Sequence, residues 1–166
     1  MAKELTAERL RELLSYDPET GIFTRKVSIS RNTRVGDMAG SKNGHGYILI
    51  GLPEGRFRAH RLAWLYVCGE WPKNEVDHIN GVRSDNRIAN LRDVSRRTNN
   101  ENRREAQCNN RSSGLLGVTW SGRHKKWAAS IRVNRKNKHL GLWETKEEAH
   151  EAYVCAKRRL HEGCML

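Results

Sequence analysis

Cysteine pairs, long apolar runs and, over one stretch, acidic residues are what this 166-residue chain lacks. Its four cysteines, Cys68, Cys108, Cys155 and Cys164, stand far apart and form no C-x-x-C pair. That spacing argues against a zinc-stapled fold and against a disulfide framework, so reduced, partly buried thiols are expected. The most apolar segment, Arg61 to Trp71, is too short to span a bilayer, and no secretory leader is read at the start. A cytoplasmic protein with no membrane association is expected. Between Ser95 and Leu140 stand 12 Lys/Arg and only two acids, Glu101 and Glu105, so this segment carries +10 of the whole chain's +12. Charge so placed suits a polyanionic partner; a solvated basic face with no ligand is the plainer alternative. The length allows one compact domain or two small ones.

The local patterns predict an α+β chain. A helix is expected from Thr6 to about Ser15, with Thr6 as N-cap, Leu5 stapling to Leu10, and Leu10, Leu13 and Leu14 as its apolar stripe. The turn residues from Tyr16 to Gly21 end it. Short strands follow at Ile22 to Thr24 and Tyr47 to Leu52, separated by a polar loop from Val27 to Gly46. The run from His60 to Gly69, apolar on all sides after its first turn, predicts a buried helix ended by Gly69 and Pro72. Glu75 to His78, the turn pair Asn80-Gly81 and a return through Arg87 to Val94 predict a hairpin-like ββ unit, followed by a polar helix from about Arg96 to Gln107. Asn109 to Gly114 is the expected linker. Beyond it, strands at Gly117 to Trp120, Lys126 to Val133 and Lys138 to Trp143 precede a helix that opens with a capping box, Thr145 to Glu148. Ala149, Ala152, Tyr153, Ala156 and Leu160 give that helix its stripe. A three-stranded antiparallel sheet packed on one C-terminal helix is the economical result.

Chemistry concentrates between Val76 and Asn100, where Asp77-His78 is followed by Asn90-Leu91 and Asn99-Asn100. Phosphodiester hydrolysis needs a nucleophilic water and stabilisation of charge on the phosphate and leaving oxygen. Asp77 offers a hard anionic oxygen and Asn99 a neutral one, a donor pair suited to one Mg²⁺ or Mn²⁺; Asn100 and Asn102 leave the ligand register open. His78, with an ordinary pKa near ~6.5, can take a proton near neutrality. On an extended strand adjacent side chains face opposite ways, so Asp77 and His78 share a site only where the strand end bends. His60 and Arg61, at the expected helix start, can contact phosphate or simply satisfy that helix end. Arg83 and Arg87 can clamp a phosphate or form salt links to Asp85 or Asp93.

These spaced residues resemble the HNH endonuclease motif, in the variant whose last His is Asn. The resemblance implies a ββα-metal lobe with Asp77 and Asn99 as metal ligands, His78 as general base and Asn90 pinning the loop that orients His78. The expected lobe spans residues 1–108, with a core at about 60–108, then a linker at 109–114 and a second domain at 115–166. In that second domain Gly117-Val118, Trp127-Ala128-Ala129, Ile131-Arg132, Leu140-Gly141 and Glu147-Glu148-Ala149 resemble the ethylene-response-factor type of plant DNA-binding domain, over roughly Gly114 to Gly163. That family reads the major groove of DNA with a three-stranded sheet. Thr119, Ser130 and His139 stand where it commonly has Arg, Glu and Trp, so its base preference does not carry over.

Phosphate contacts are expected from Arg123, Lys126, Arg132, Arg135 and Lys138, and base contacts from Thr119, Ser130 and Arg132. Trp120, Trp127 and Trp143 are expected in the core. The combination resembles phage-borne and mobile-element HNH nucleases, including homing enzymes, which places the chain in a bacterial or phage-infected cell. It implies a metal-dependent endonuclease acting on double-stranded DNA. As a monomer it would nick one strand, leaving 5′-phosphate and 3′-hydroxyl ends. A DNA-binding regulator with a decayed nuclease lobe is the alternative, and a basic RNA-binding factor ranks last because paired surface aromatics are missing.

Overall fold

The computed structural model describes residues 5–106, 110 and 112–165, and these fall into two compact units, 1–95 and 96–166. Each is built from short antiparallel pairings and helices, an α+β arrangement.

In the first unit, α1 (Ala7–Leu13) starts at Thr6, whose hydroxyl accepts from the Arg9 amide at 3.2 Å. It stops short of Ser15 because Leu14 joins strand β1 (Leu14–Asp17), which pairs with β2 (Ile22–Arg25) in register Leu14 to Arg25. Ladder pairing thus competes successfully with the helical stripe for Leu14, which is fully buried either way. Strands β3 (Ser41–Lys42), β4 (Ile48–Leu52) and β5 (Gly55–Arg58) form a second small sheet, two of them unforeseen within or beside polar stretches. α2 (Ala59–Cys68) ends on Gly69 in the left-handed conformation. Its Leu62, Ala63 and Leu65 enter the core with Leu10, Phe23 and Ile50. It is not buried all round, since Val67 is 47% exposed and Cys68 is exposed too. β6 (Glu75–His78) and β7 (Leu91–Val94) form the expected hairpin, closed just before β7 by a 3-10 turn at Ile88–Asn90.

The second unit opens with α3 (Arg96–Glu101), six residues long. Its expected end at Gln107, together with Cys108 and positions Asn109 and Arg111 of the expected linker, lies outside the described residues. The rest of that segment is anchored: Ser113 is buried and donates to the Val118 carbonyl at 2.7 Å, and Asn110 donates to Leu115. Strands β8 (Val118–Ser121), β9 (Lys126–Val133) and β10 (Lys136–Trp143) make a sheet in the order β10-β9-β8, on which α4 (Lys146–Leu160) lies. Asn134 and Arg135, both with positive φ, form a two-residue turn of the hairpin-favouring kind, so β10 begins two residues earlier than its sequence suggests. Val118, Ala129, Ile131, Ala149 and Tyr153 are the core. Trp127 and Trp143 pack against it, whereas Trp120, expected inside, is 48% exposed and meets Trp127 edge-on from the outer strand. Cys155 is also exposed and free.

Thr145 and Glu148 satisfy each other's backbone amides at the start of α4, at 3.2 and 3.1 Å. Thr145→Ala is expected to cost about 1 kcal/mol, measured as a lower denaturant midpoint of the full chain with an unchanged slope.

Candidate active site

The excursion between β6 and β7 is tied together by asparagines. Asn90 donates from Nδ2 to the Asn80 side-chain oxygen at 3.0 Å and to the Asp85 carbonyl at 2.9 Å, and its Oδ1 accepts from the Asn80 amide at 3.0 Å. Asn80 in turn donates to Asp85 at 2.7 Å and accepts from the Val82 amide at 2.8 Å. Gly81 takes a positive φ of 74°, and its amide returns to the His78 carbonyl at 2.9 Å. Residues 78 to 90 are thereby closed into one loop around a buried amide.

His78, the last residue of β6, is 5% exposed and lies 3.4 Å from Asn86 Oδ1 through Nε2. The backbone beyond Asn86 is held from the other side. The Tyr16 hydroxyl donates to the Asn86 carbonyl at 2.8 Å, and Gly21, at φ +72°, presses so closely on the Asn86–Arg87 backbone that a Cβ would collide with it. His60 stands edge-on to His78 with ring centroids 4.9 Å apart, and Tyr47 flanks both rings at 5.4 and 6.0 Å. Burial lowers the pKa of both imidazoles: that of His60 falls to about 3, with His78, Arg58 and Arg61 adding to the effect. The Asn86 contact and Asp77 partly offset burial at His78. Both rings are therefore neutral at physiological pH, and His78 is a base without a proton to lose first. The Nδ1 of His60 is buried with no hydrogen-bond partner.

Asp77 is also buried, 8% exposed, but turns to other company. Arg92, directly opposite it on β7, donates to Oδ2 from Nε and Nη2 at 3.0 and 2.8 Å. Consecutive residues of β6 thus engage different partners, as strand geometry requires. Among the remaining expected contacts, the Arg87 guanidinium forks onto Asp85 at 2.6 and 2.8 Å. That pairing is the largest cause of the Asp85 carboxyl's fall to about 2. Arg83 lies over the Tyr47 ring and donates to the His45 carbonyl at 2.9 Å, while Arg61 lies over Trp71. Asp93 accepts from the Lys73 and Asn74 amides instead of from an arginine.

Residues 57–101 match a family model for HNH endonucleases. The match takes in α2, the ββ hairpin and α3, and it supports a nuclease whose substrate is DNA. It spans under a third of the chain and says nothing of residues beyond 101. No curated protein and no solved structure matches. HNH nucleases generally use a divalent metal; among the described residues, no group of three or more His, Cys, Asp or Glu is disposed to hold one. Asp77 is the buried carboxylate of the hairpin, and a carboxylate oxygen is the donor type that a hard cation takes. Asn99 lies in α3, in the second unit, and is partly exposed.

Asn86, Tyr47 and Arg92 are the site residues that pattern reading passes over. Asn86 looks like one more turn asparagine, yet it is 3% exposed and faces the imidazole. Arg92 becomes visible only once the hairpin register sets it across from Asp77.

In the second unit the outer sheet face carries Thr119, Ser130 and Arg132, with Arg123 and Arg135 exposed in the adjoining turns. Lys126 forms an ion pair with Glu144 at 2.6 Å. Lys138 sits opposite Ile131, whose side chain is in the core, which sets it on the sheet face that α4 covers, apart from Arg132. A cleft of about 790 Å³ brings Ser130, Arg132 and Arg135 together with Arg97 and Asn100 of α3.

Asn90→Ala removes three bonds of a buried amide and strands partners in the 80–85 loop. It is expected to lower stability by about 3 kcal/mol, read from urea unfolding. Because His60 is protonated only near pH 3 when folded but near 6.5 when unfolded, the unfolded chain binds the extra proton between those values. Stability should be full above about pH 6.5 and fall as pH drops toward 3, and the fall should be shallower in His60→Asn when unfolding is followed across that range.

Proposed function

We propose that the chain is a metal-dependent DNA endonuclease whose reacting groups lie on the β6–β7 loop, with the sheet of the second unit binding the duplex. The observation that carries this is the buried His78 on a loop closed by Asn90, inside the stretch that matches HNH endonucleases. In this proposal His78 accepts the proton of the attacking water. Asn90 keeps the loop, and with it the imidazole, in place, and Asn86 fixes the ring's orientation through Nε2. Asp77 and Asn99 are the proposed ligands of one Mg²⁺ or Mn²⁺, which when bound would stabilise charge on the phosphate and the leaving oxygen. Arg92 holds the Asp77 carboxylate in one orientation.

His60, Arg61, Arg83 and Arg87 are the proposed phosphate contacts around this centre; the Arg83 guanidinium lies over the Tyr47 ring and donates to the His45 carbonyl. Thr119, Arg123, Lys126, Ser130, Arg132, Arg135 and Lys138 are the proposed DNA contacts of the second unit, and the cleft adds Arg97 and Asn100 beside Ser130, Arg132 and Arg135. A monomer with one such centre cuts one strand per binding event, leaving 5′-phosphate and 3′-hydroxyl ends. Activity of the homing or phage type, in a bacterial or phage-infected cytoplasm, fits that chemistry.

The test is conversion of supercoiled plasmid carrying a selected binding site. Open circles should accumulate with Mg²⁺ or Mn²⁺, vanish with EDTA, and form roughly 10²–10⁴-fold more slowly in His78→Ala. Tight, salt-sensitive binding without cutting under any divalent ion would overturn the proposal in favour of a regulator.

A further inference from the structure

α3 is held by the far end of the chain. After Glu101 the backbone tightens, the Asn102 amide reaching the carbonyls of both Thr98 and Asn99 at 3.1 and 3.2 Å. Lys157 of α4 then meets it: its side chain is 1% exposed, and its ammonium donates to the Arg103 carbonyl. Burial lowers the pKa of this ammonium, and the neighbouring Arg104 and Arg103 act in the same direction. A buried cation is costly unless it is paired, and here the Arg103 carbonyl just past α3 accepts from it.

The segment after α4 adds three more ties. Glu101, 9% exposed, accepts from Arg97 on one oxygen and from the Gly163 amide on the other, at 2.9 and 3.1 Å. Asn102, 3% exposed, accepts from the Met165 amide at 3.2 Å, and Arg104 donates to the Met165 carbonyl at 2.8 Å. Gly163 lies so close that a Cβ would collide with the Thr98 carbonyl oxygen and stand 2.9 Å from Thr98 Cγ2 and 3.0 Å from Glu101 Cβ. Its φ is not among the positive ones, so alanine there is conformationally allowed and its fault is the contact with α3 alone.

From this arrangement we infer that Lys157 and the 163–165 segment are positioning residues for the nuclease, clamping α3 so that Asn99 is presented in a fixed orientation. The inference rests on the assignment of Asn99 as a metal ligand above. A helix of six residues has too few internal bonds to hold its own geometry, whereas a ligand must be held to within about 0.5 Å. The clamp supplies what the helix lacks, and Gly163 touches it at Thr98, the residue before Asn99.

The experiment compares full-length wild type with Gly163→Ala, Lys157→Met and Asn99→Ala by three measurements: amide hydrogen exchange over residues 96–104, DNA affinity in EDTA, and plasmid nicking titrated with Mn²⁺. Gly163→Ala should speed exchange at Asn99 to Arg103 by about tenfold or more and raise the Mn²⁺ concentration for half-maximal nicking by about 10–100-fold. DNA affinity should stay within about twofold of wild type. Lys157→Met should move the same readouts in the same direction; if it fails to fold, Arg104→Gln, which cuts the exposed tie to Met165, replaces it. Unchanged exchange and metal response in Gly163→Ala would overturn the clamp, as would an equal loss of DNA affinity and of protection throughout α4, the mark of a merely structural role. If Asn99→Ala nicks like wild type, the assignment of Asn99 fails, and the exchange data still decide whether the clamp exists.

Discussion

A single buried amide sets the geometry on which the candidate centre depends. Twelve residues separate the end of β6 from the start of β7, and a connection of that length would ordinarily sample many shapes. Asn90 removes that freedom by bonding at three points to the opposite limb of its own loop. The effect is propagated outward: with residues 80 to 85 fixed, Asn86 must follow at the position where its side chain meets His78 and its carbonyl meets Tyr16. An aspartate in place of Asn90 could accept from the Asn80 amide but could not donate to two carbonyl-type oxygens, so the residue type follows from the number of donors the loop demands.

Electrostatics then sorts the charged groups by depth. In the interior, two imidazoles under five ångströms apart are both kept neutral by burial, and the buried Asp77 carboxylate has a guanidinium fixed on it. A lone ionised group at that depth would cost several kcal/mol, and the pairing with Arg92 offsets that cost for Asp77. At the surface the Asp85–Arg87 pair is geometrically tighter but half solvated, and pairs of that kind contribute about 0–1 kcal/mol. Short distance is therefore a poor guide to which arginine matters; burial of its partner is the better one. It marks Arg92, which the motif does not contain.

How much of this was legible in the residues depended on the range of the interaction involved. The Thr145 capping box, the Gly69 stop and the Asn80-Gly81 turn act over four residues or fewer, and each was readable directly. The ββ hairpin was readable because its register is fixed by a local turn and a matching return strand. β5 was not, since Gly55-Arg56-Phe57-Arg58 carries a single apolar residue and becomes a strand by pairing with β4. Leu14 was misassigned for a related reason: its apolar character suits a helix and a strand equally, and the partner strand decides. Trp120 shows the converse limit. Its size favours burial, but it lies on an outer strand directly opposite Trp127 and remains half exposed.

The six residues of α3 expose a difference between two kinds of membership. By order of residues α3 completes the stretch that begins with Asp77 and His78, and the family match accordingly runs to residue 101. By contact it groups with residues 96–166, because Glu101, Asn102 and the backbone at Arg103 are fastened to Lys157, Gly163 and Met165. Sequence order records which chemistry a residue can take part in; packing records which elements move with it. A helix this short has no stiffness of its own to transmit, so whatever holds its far side determines the orientation of every side chain it carries. For that reason a glycine sixty-four residues downstream, with no polar side chain to offer, can bear on the orientation of Asn99 through its contact with Thr98.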